Sequence, residues 1–515
     1  MKKIKAELIR QRKRRIRNRL AQSSAYDRGR PMMQGGNTHY ELAQKAGGTA
    51  YGGMAAINGF VKKIGLTEAI DDHLHLFKVH APYHESDHVL NLAYNALCGG
   101  TCLQDIELRR NDEYFLDSIG AERIPDPTTA GDFCRRLCKH SIDQLQDAFD
   151  EVRLDLWKQQ DDAFFKQATI EMDGTIVETT GQCKEGMDIS YKGIWGYQPL
   201  VMTLAETGEV LRIVNRGGNR PSQEGAADQA DHTIALCRQA GFRRIVLRGD
   251  TAFTQTAHLD RWNDDGVKFL FGLKAYANLV EIAENVATKD WQHLPRSPKY
   301  NPQTADRARP ENVKERIVEE RGYDNKRLTA EWVTEAPYRP TECNKTYRLV
   351  IVCKELEVTK QGRLFDDCVY FFYLTNELST EVPTREVVYG CNQRCDQENV
   401  LAQLNQCRAL HAPVDNLESN WAFMVMTALS WNLKAWVGLS LPVDGRWREK
   451  HEQERRRVIR MEFKGFIEQF VRLPAQIIRS GRQLTVRLLG WSEQLDVFNR
   501  WLGVALGCAK VAVSG

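Results

Sequence analysis

The chain has 515 residues, 42% of them hydrophobic, which is room for two to four domains with real cores. Its net charge of +3 hides an asymmetry: residues 1–30 hold twelve Lys/Arg against Glu7 and Asp27, so this arm carries +10 and the rest of the chain −7. Thirteen cysteines, an odd number spread over the whole length, fit a reducing cytoplasm rather than a disulfide framework.

The basic start is not followed by an apolar stretch, so no signal peptide is expected. Arg12-Lys13-Arg14-Arg15 is the densest part of the arm. Such a charge on a near-neutral body suits a polyanion; a solvated, disordered tail gives the same composition. Gln34-Gly35-Gly36-Asn37 and Gly47-Gly48 read as flexible connections, closing a basic, partly disordered segment at residues 1–50.

Residues 51–160 read as an all-α domain. Ala55, Ile57, Phe60 and Val61, then Gly65-Leu66-Thr67, then Ala69-Ile70 spell helix, turn, helix, which suits a DNA reader and equally any small bundle. Further helices are expected over 87–97, 103–110 and 128–158, the last starting at Asp126-Pro127-Thr128. His84-Glu85-Ser86-Asp87-His88 matches the zinc-peptidase pattern H-E-x-x-H. Pro82 and a cap at Ser86-Asp87 instead place the two His across a helix start. Cys98/Cys102 and Cys134/Cys138 have the spacing of a four-thiolate site, or of buried helix cysteines.

Alternating apolar residues make Ala168 to Thr179 a strand, and Asp173 inside it is the anomaly. A carboxylate there needs an arginine, a hydrogen-bond network or a metal ion. Leu200 to Leu204 and Val210 to Val214 read as hairpin strands about Thr207-Gly208, Ala226 to Ala240 as a helix stopped by Gly241, and Ile245 to Leu247 as a strand ending on Gly249-Asp250. If the helix is a crossover, Asp173 and Asp250 lie on neighbouring strands of one sheet. One more strand, Val267 to Leu273, follows, and then the texture changes. Residues 295–310 are rich in Pro, Lys and Arg. Leu328 to Thr334, Tyr347 to Cys353 and Val369 to Leu374 are strand-like, so 295–375 reads as a β-rich insertion in which Trp332 is expected to pack.

In Asn392-Gln-Arg394-Cys-Asp396-Gln-Glu398-Asn399, the apolar spacing of Val400, Leu401 and Leu404 predicts a helix with Arg394 and Glu398 on one face. By spacing alone Arg394 and Glu398 read as an ordinary intrahelical ion pair, with Asp396 as the neighbouring acid. Trp421 to Leu439 is long and apolar, but Asn432 and Lys434 interrupt it, so a buried helix is expected and no membrane partner. Residues 451–515 hold eleven Lys/Arg against six Asp/Glu, with Arg455-Arg456-Arg457 on an expected helix as a candidate phosphate-binding face.

The blocks Glu171-Met-Asp173-Gly-Thr, Leu247-Arg-Gly-Asp250-Thr-Ala-Phe and Asn392 to Asn399 resemble the three catalytic blocks of DDE transposases of bacterial insertion sequences. The resemblance covers most of the chain and implies an α/β fold. Its centre would be a ribonuclease H-like mixed-sheet catalytic core with a β-rich insertion between second Asp and Glu. An α-helical N-terminal domain and a helical C-terminal region would flank it. The expected segments are the 51–160 helical domain, the core at 161–294 and 376–440, the insertion at 295–375 and a basic helical region at 441–515.

The resemblance implies Asp173, Asp250 and Glu398 as catalytic residues and ligands of Mg²⁺, with Mn²⁺ as a substitute, and Arg394 beside the DNA. Where the related motif has Tyr and Lys around its Glu, this chain has Cys391 and Asn405, so the roles of those two residues are not carried over. Two Mg²⁺ ions about 3.5–4 Å apart activate the attacking oxygen, relieve charge at phosphorus and stabilise the departing oxygen. No protein nucleophile is then needed.

The implied partners are double-stranded DNA, as element terminal repeats and target, and a second subunit in a homodimer on DNA. The implied location is the cytoplasm, at the nucleoid when DNA-bound. A ribonuclease H-like DNA nuclease, a catalytically inactive DNA-binding protein and a zinc peptidase at His84/His88 are the competing readings.

Overall fold

The computed structural model describes residues 2–21, 47–296, 313–321, 325–360, 363–480, 483–490 and 492–507. The Gly35-Gly36 connection and most of the Pro/Lys/Arg-rich stretch after residue 296 lie outside them. The chain divides into two compact units: Met1–Lys158 with Leu404–Val414 and Glu418–Gly515, and Gln159–Gln403 with Asp415–Leu417.

The second unit is built on one mixed sheet. Its core strands are β1 (Ala168–Gly174), β2 (Leu200–Leu204), β3 (Glu209–Val214), β4 (Ile245–Gly249) and β5 (Lys268–Leu273), in the order β3-β2-β1-β4-β5. β1 pairs antiparallel with β2 and parallel with β4, and β4 is parallel to β5. This 3-2-1-4-5 arrangement is the ribonuclease H-like core.

β1 is buried through its first five residues and β2 throughout. A central strand covered on both faces reads as a near-continuous apolar run. α1 (Ala226–Ala240) makes the crossover to β4, burying Ala230, Ile234 and Cys237. It stops at Gly241, whose φ of +96° lets the Phe242 N–H donate to the Cys237 carbonyl at 3.1 Å. α2 (Thr256–Asp264) leads to β5, and its buried Trp262 donates from Nε1 to Asp231 of α1 at 2.8 Å.

The insertion strands β6 (Asn325–Tyr338), β7 (Tyr347–Lys360) and β8 (Arg363–Thr375) are longer than their apolar runs predict. Their outer halves carry charged residues opposite uncharged ones, as in Glu355 against Cys368 and Lys326 against Val358. Their inner ends join the core: β8 pairs antiparallel with β5, Thr375 facing Leu270, so core and insertion share one sheet. α3 (Thr384–Asn392) buries Val387 and Val388 in a cluster with Leu270, Val333, Val350 and Val352. Trp332 is half-buried, edge-on to His293, and its Nε1 has no partner.

In the first unit, residues Lys2–Ala21 of the basic arm form a helix, and residues 22–46 of that segment lie outside the described residues. Helices Met54–Lys63 and Leu66–His73 meet at Gly65, and the second buries Leu66, Ala69 and Ile70. The helix expected over 128–158 is two, Pro127–Arg136 and Lys139–Trp157, the first capped by Asp126 as its sequence signals. Helix Leu417–Leu439 is buried from Ser419 onward. Its Lys434 ammonium donates to the Ile459 and Met461 carbonyls at 2.8 and 2.9 Å and lies 3.8 Å from the Trp431 ring centroid. Among the described residues, no helix is long and apolar enough to cross a membrane.

The C-terminal region is not wholly helical, since Ala475–Ser480 and Gln483–Leu488 form a hairpin that pairs with Gly48–Thr49. A Cβ on Gly53 would sit 1.8 Å from the Phe470 carbonyl oxygen, so only glycine allows that close approach.

Candidate active site

Asp173 is the penultimate residue of β1, and Asp250 directly follows β4. The register pairs Met172 with Gly249, so the two acids are the next positions on adjacent parallel strands, whose spacing is about 4.8 Å. Each is oriented by backbone: the Gly174 N–H donates to Asp173 Oδ1 at 2.8 Å, and the Ala252 N–H to Asp250 Oδ1 at 2.8 Å.

The third acid arrives on α4 (Cys395–Gln406), a helix that begins one residue after Arg394 instead of including it. α3 ends at Asn392, Gln393 and Arg394 form a turn, and Glu398 stands in the first turn of α4. Arg394 nonetheless bridges the two elements, donating to Asp173 Oδ2 at 3.3 Å and to Glu398 Oε1 at 3.0 Å. Burial pushes the Asp173 carboxyl up to about 6, Arg394 and the Gly174 N–H hold it down, and Asp250 and Glu398 push it further up. Asp173 therefore senses both other acids. Asp396, by contrast, acts electrostatically on Glu171. The two acids of α4 thus address different neighbours, as a two-residue offset on a helix requires.

Glu171 and Arg248 had no role in the sequence reading. They are 2% and 6% exposed and face each other across the β1/β4 register, with Arg248 Nε and Nη2 donating to Glu171 Oε1 at 3.0 and 2.5 Å. Arg248 Nη1 also donates to the Gly390 carbonyl at 2.8 Å, which ties α3 to the strands bearing the acids. Burial pushes the Glu171 carboxyl up to about 7, against the pull of Arg248. The signal was present: each lies two residues before an acid, in an otherwise apolar strand.

Three carboxylates with no sulfur or nitrogen donor suit a hard divalent cation such as Mg²⁺ or Mn²⁺. The guanidinium of Arg394 lies where it neutralises Asp173 and Glu398, a place where positive charge is required. With Arg394 between them, the three acids do not form a group of ligand atoms within 4.8 Å of one another.

The other candidate residues lie in the first unit. Arg12, Lys13, Arg14 and Arg15 project from the Lys2–Ala21 helix. Lys13 pairs with Asp496 at 3.5 Å, and Arg12 donates to the Leu489 carbonyl at 3.4 Å. Arg455, Arg456 and Arg457 are on helix Arg448–Ile459, with Arg456 bonded to Glu452 at 2.9 Å.

His84 is the cap residue before helix Glu85–Leu97 and stacks on His80 with 4.3 Å between ring centroids. His88 is inside, stacked on Phe133 at 4.3 Å. Glu85 accepts from the Leu76 and Phe77 N–H groups at 2.8 and 2.9 Å. These three side chains are directed apart and make no zinc centre. Cys98 and Cys134 are buried and Cys138 exposed, and the four thiols are not among the described residues whose ligand atoms lie within 4.8 Å of one another.

No protein of curated function matches the chain. Among solved structures, a piggyBac transposase synaptic complex with hairpin DNA is similar at 12% identity and a TM-score of 0.33, over 82% of this chain and 83% of that one. A likeness that loose has no weight for fold or activity. The family model for the transposase DDE domain, group 1, matches residues 43–503, a span that contains all three acids and both strands that align the first two. A match over nearly the whole chain, on a 3-2-1-4-5 sheet with two aspartates side by side at its centre, means that this protein belongs to the DDE transposase family, group 1.

Proposed function

We propose that the protein cuts DNA at the ends of a bacterial insertion sequence and joins those ends to target DNA. Asp173, Asp250 and Glu398 are the catalytic carboxylates and the ligands of Mg²⁺, with Mn²⁺ able to replace it. The observation that supports this most is the meeting of Asp173 with Arg394 and Glu398, which arrive from an element more than two hundred residues away in sequence. When bound, the divalent ions supply charge relief at the phosphate and a nucleophilic oxygen at neutral pH.

The chain's own groups do the positioning. The Gly174 and Ala252 N–H groups fix Oδ1 of each aspartate, and Arg394 holds Oδ2 of Asp173. Arg394, no longer needed to neutralise the acids once cations are bound, is free to hold a phosphate oxygen of the scissile strand, the DNA contact assigned to it. Arg12, Lys13, Arg14 and Arg15, together with Arg455, Arg456 and Arg457, supply sequence-blind phosphate contacts. The proposed working form is a homodimer on double-stranded DNA bearing the terminal repeats, in the cytoplasm and at the nucleoid.

The test is to incubate the protein with Mg²⁺ and the DNA flanking its own gene, then map nicks and joints. Joints to a second DNA support the reading. Nicks without joints favour a ribonuclease H-like nuclease, and binding with neither favours an inactive DNA-binding protein.

A further inference from the structure

Between β1 and β2 the chain makes a small three-stranded sheet of Val177–Glu178, Trp195–Tyr197 and Asp188–Ile189. Its base is rigid. The Tyr197 hydroxyl donates to the Glu185 carbonyl at 2.8 Å, and the Gly218 N–H to the Gly196 carbonyl at 3.0 Å. A Cβ on Gly196 would lie 2.0 Å from the Val177 carbonyl oxygen, so the strands are in close contact.

The other end is a tight turn closed by the Ser190 N–H to the Ile194 carbonyl at 2.8 Å, with Gly193 at φ +74°. On this firmly held tip the large side chains face outward: Tyr191 is 79% exposed, Trp195 52% and Ile189 45%. Ile189 and Trp195 are direct cross-strand partners, so their exposed surfaces are contiguous. Single exposed aromatics are ordinary; two on one seven-residue turn, beside an aliphatic partner, form a patch that water alone does not favour.

Its chemistry and position indicate the occupant. Lys192 lies beside the Tyr191 ring, 5.5 Å from its centroid, so the tip presents aromatic faces with a cation among them. That combination suits bases stacked on rings with their phosphates near an ammonium. The patch is also close to the acid site along the chain. β1, which carries Asp173, ends at Gly174, and five residues on the Thr179 N–H donates to the Trp195 carbonyl at 3.0 Å. Six extended residues reach at most about 20 Å, which is about six nucleotides of one strand.

We propose that hairpin 188–197 is a stacking platform for unpaired bases at the DNA end being processed, with Trp195 and Tyr191 as the stacking residues and Lys192 as the phosphate contact. The proposal rests on the DNA-processing reading of the acid site. It is sharper than the basic-residue contacts because it requires bases out of the duplex.

The test uses the full chain and synthetic forked DNA, a duplex with an unpaired dT strand carrying a single 2-aminopurine at each of the first eight positions. Expected is quenching at one or two positions in the wild type, lost in Trp195→Ala and Tyr191→Ala and largely kept in Trp195→Phe. Affinity for the fork should fall about tenfold in Trp195→Ala, while affinity for blunt duplex changes less than twofold. Unchanged quenching in both alanine variants overturns the proposal. So does a change in oligomeric state of DNA-free Trp195→Ala, which would make the patch a protein interface. The fork needs no cleavage, so a protein that neither nicks nor joins DNA would defeat the functional reading while leaving this measurement to decide the hairpin.

Discussion

Two stretches of this chain carry the residue types of a metal site, and they fold to different outcomes. Around Asp173, Asp250 and Glu398 the backbone brings acids from distant segments to one locality. Adjacent parallel strands align the first two, and Arg394 draws in the third. Around His84, Glu85 and His88 the match to a zinc motif is closer in sequence, yet the helix begins inside the motif and disperses it. His84 is the cap residue with its ring stacked on His80, His88 enters the core, and the Glu85 carboxylate is consumed by backbone N–H groups. Residue types make a motif, but the backbone decides who their neighbours are: the β1/β4 register sets Asp173 beside Asp250, and the helix start separates His84 from His88.

The largest effect that bears on this contrast is at the acids. Asp173→Asn and Asp250→Asn should each reduce cleavage to background with folding intact, because each removes a ligand charge and empties no core. Glu398→Gln should do the same, whereas Asp396→Asn, which removes an exposed acid whose charge acts on Glu171, should keep cleavage within a few-fold. Mapping nicks on the same end DNA decides. Normal cleavage in either Asp variant removes the assignment, and the reverse order for the two α4 acids moves the third ligand to Asp396.

Next is the support beneath the acids. Arg248→Met leaves Glu171 buried without its partner and frees the Gly390 carbonyl, so it should destabilise the protein by about 3–5 kcal/mol. The double variant Glu171→Leu/Arg248→Met should recover most of that in denaturant unfolding. Equal loss in single and double variants would mean that packing, not charge, dominates there.

A smaller effect belongs to the dispersed motif. His88 is 4% exposed, its Nδ1 has no partner, and burial lowers its pKa to about 4. Between pH 6.5 and 4 the unfolded state binds the proton that the folded state refuses. The stability associated with neutral His88 is thus complete above pH 6.5 and declines by up to about 3 kcal/mol as pH falls to 4. In His88→Leu that part of the pH slope should vanish; an unchanged slope would place the acid sensitivity elsewhere.

The smallest expected effect is none at all: zinc content of the purified protein should be the same in wild type and His84→Ala. Stoichiometric zinc lost in the variant would restore the motif as a site.

Much of the core was legible because its signals are local. A strand pattern with an aspartate inside it, Gly-Asp at the end of a second strand, and a helix between Gly225 and Gly241 are each written within a dozen residues, where side-chain period and backbone preference act. Asp126-Pro127 likewise marked a helix start that the structure has.

Long-range pairing was not legible. Nothing within residues 325–375 shows that β8 will extend the core sheet beside β5. Nor does the C-terminal sequence show that Ala475 will face Thr49. Strand edges offer the same N–H and C=O groups whatever their sequence, so which edges meet is decided by the packing of whole faces. The break at Gln393 and Arg394 and the Glu171–Arg248 pair are of the same kind. A carboxylate and a guanidinium in separate apolar strands can be read from the sequence, but the β1/β4 register alone makes them partners and leaves Arg394 to reach across to Asp173.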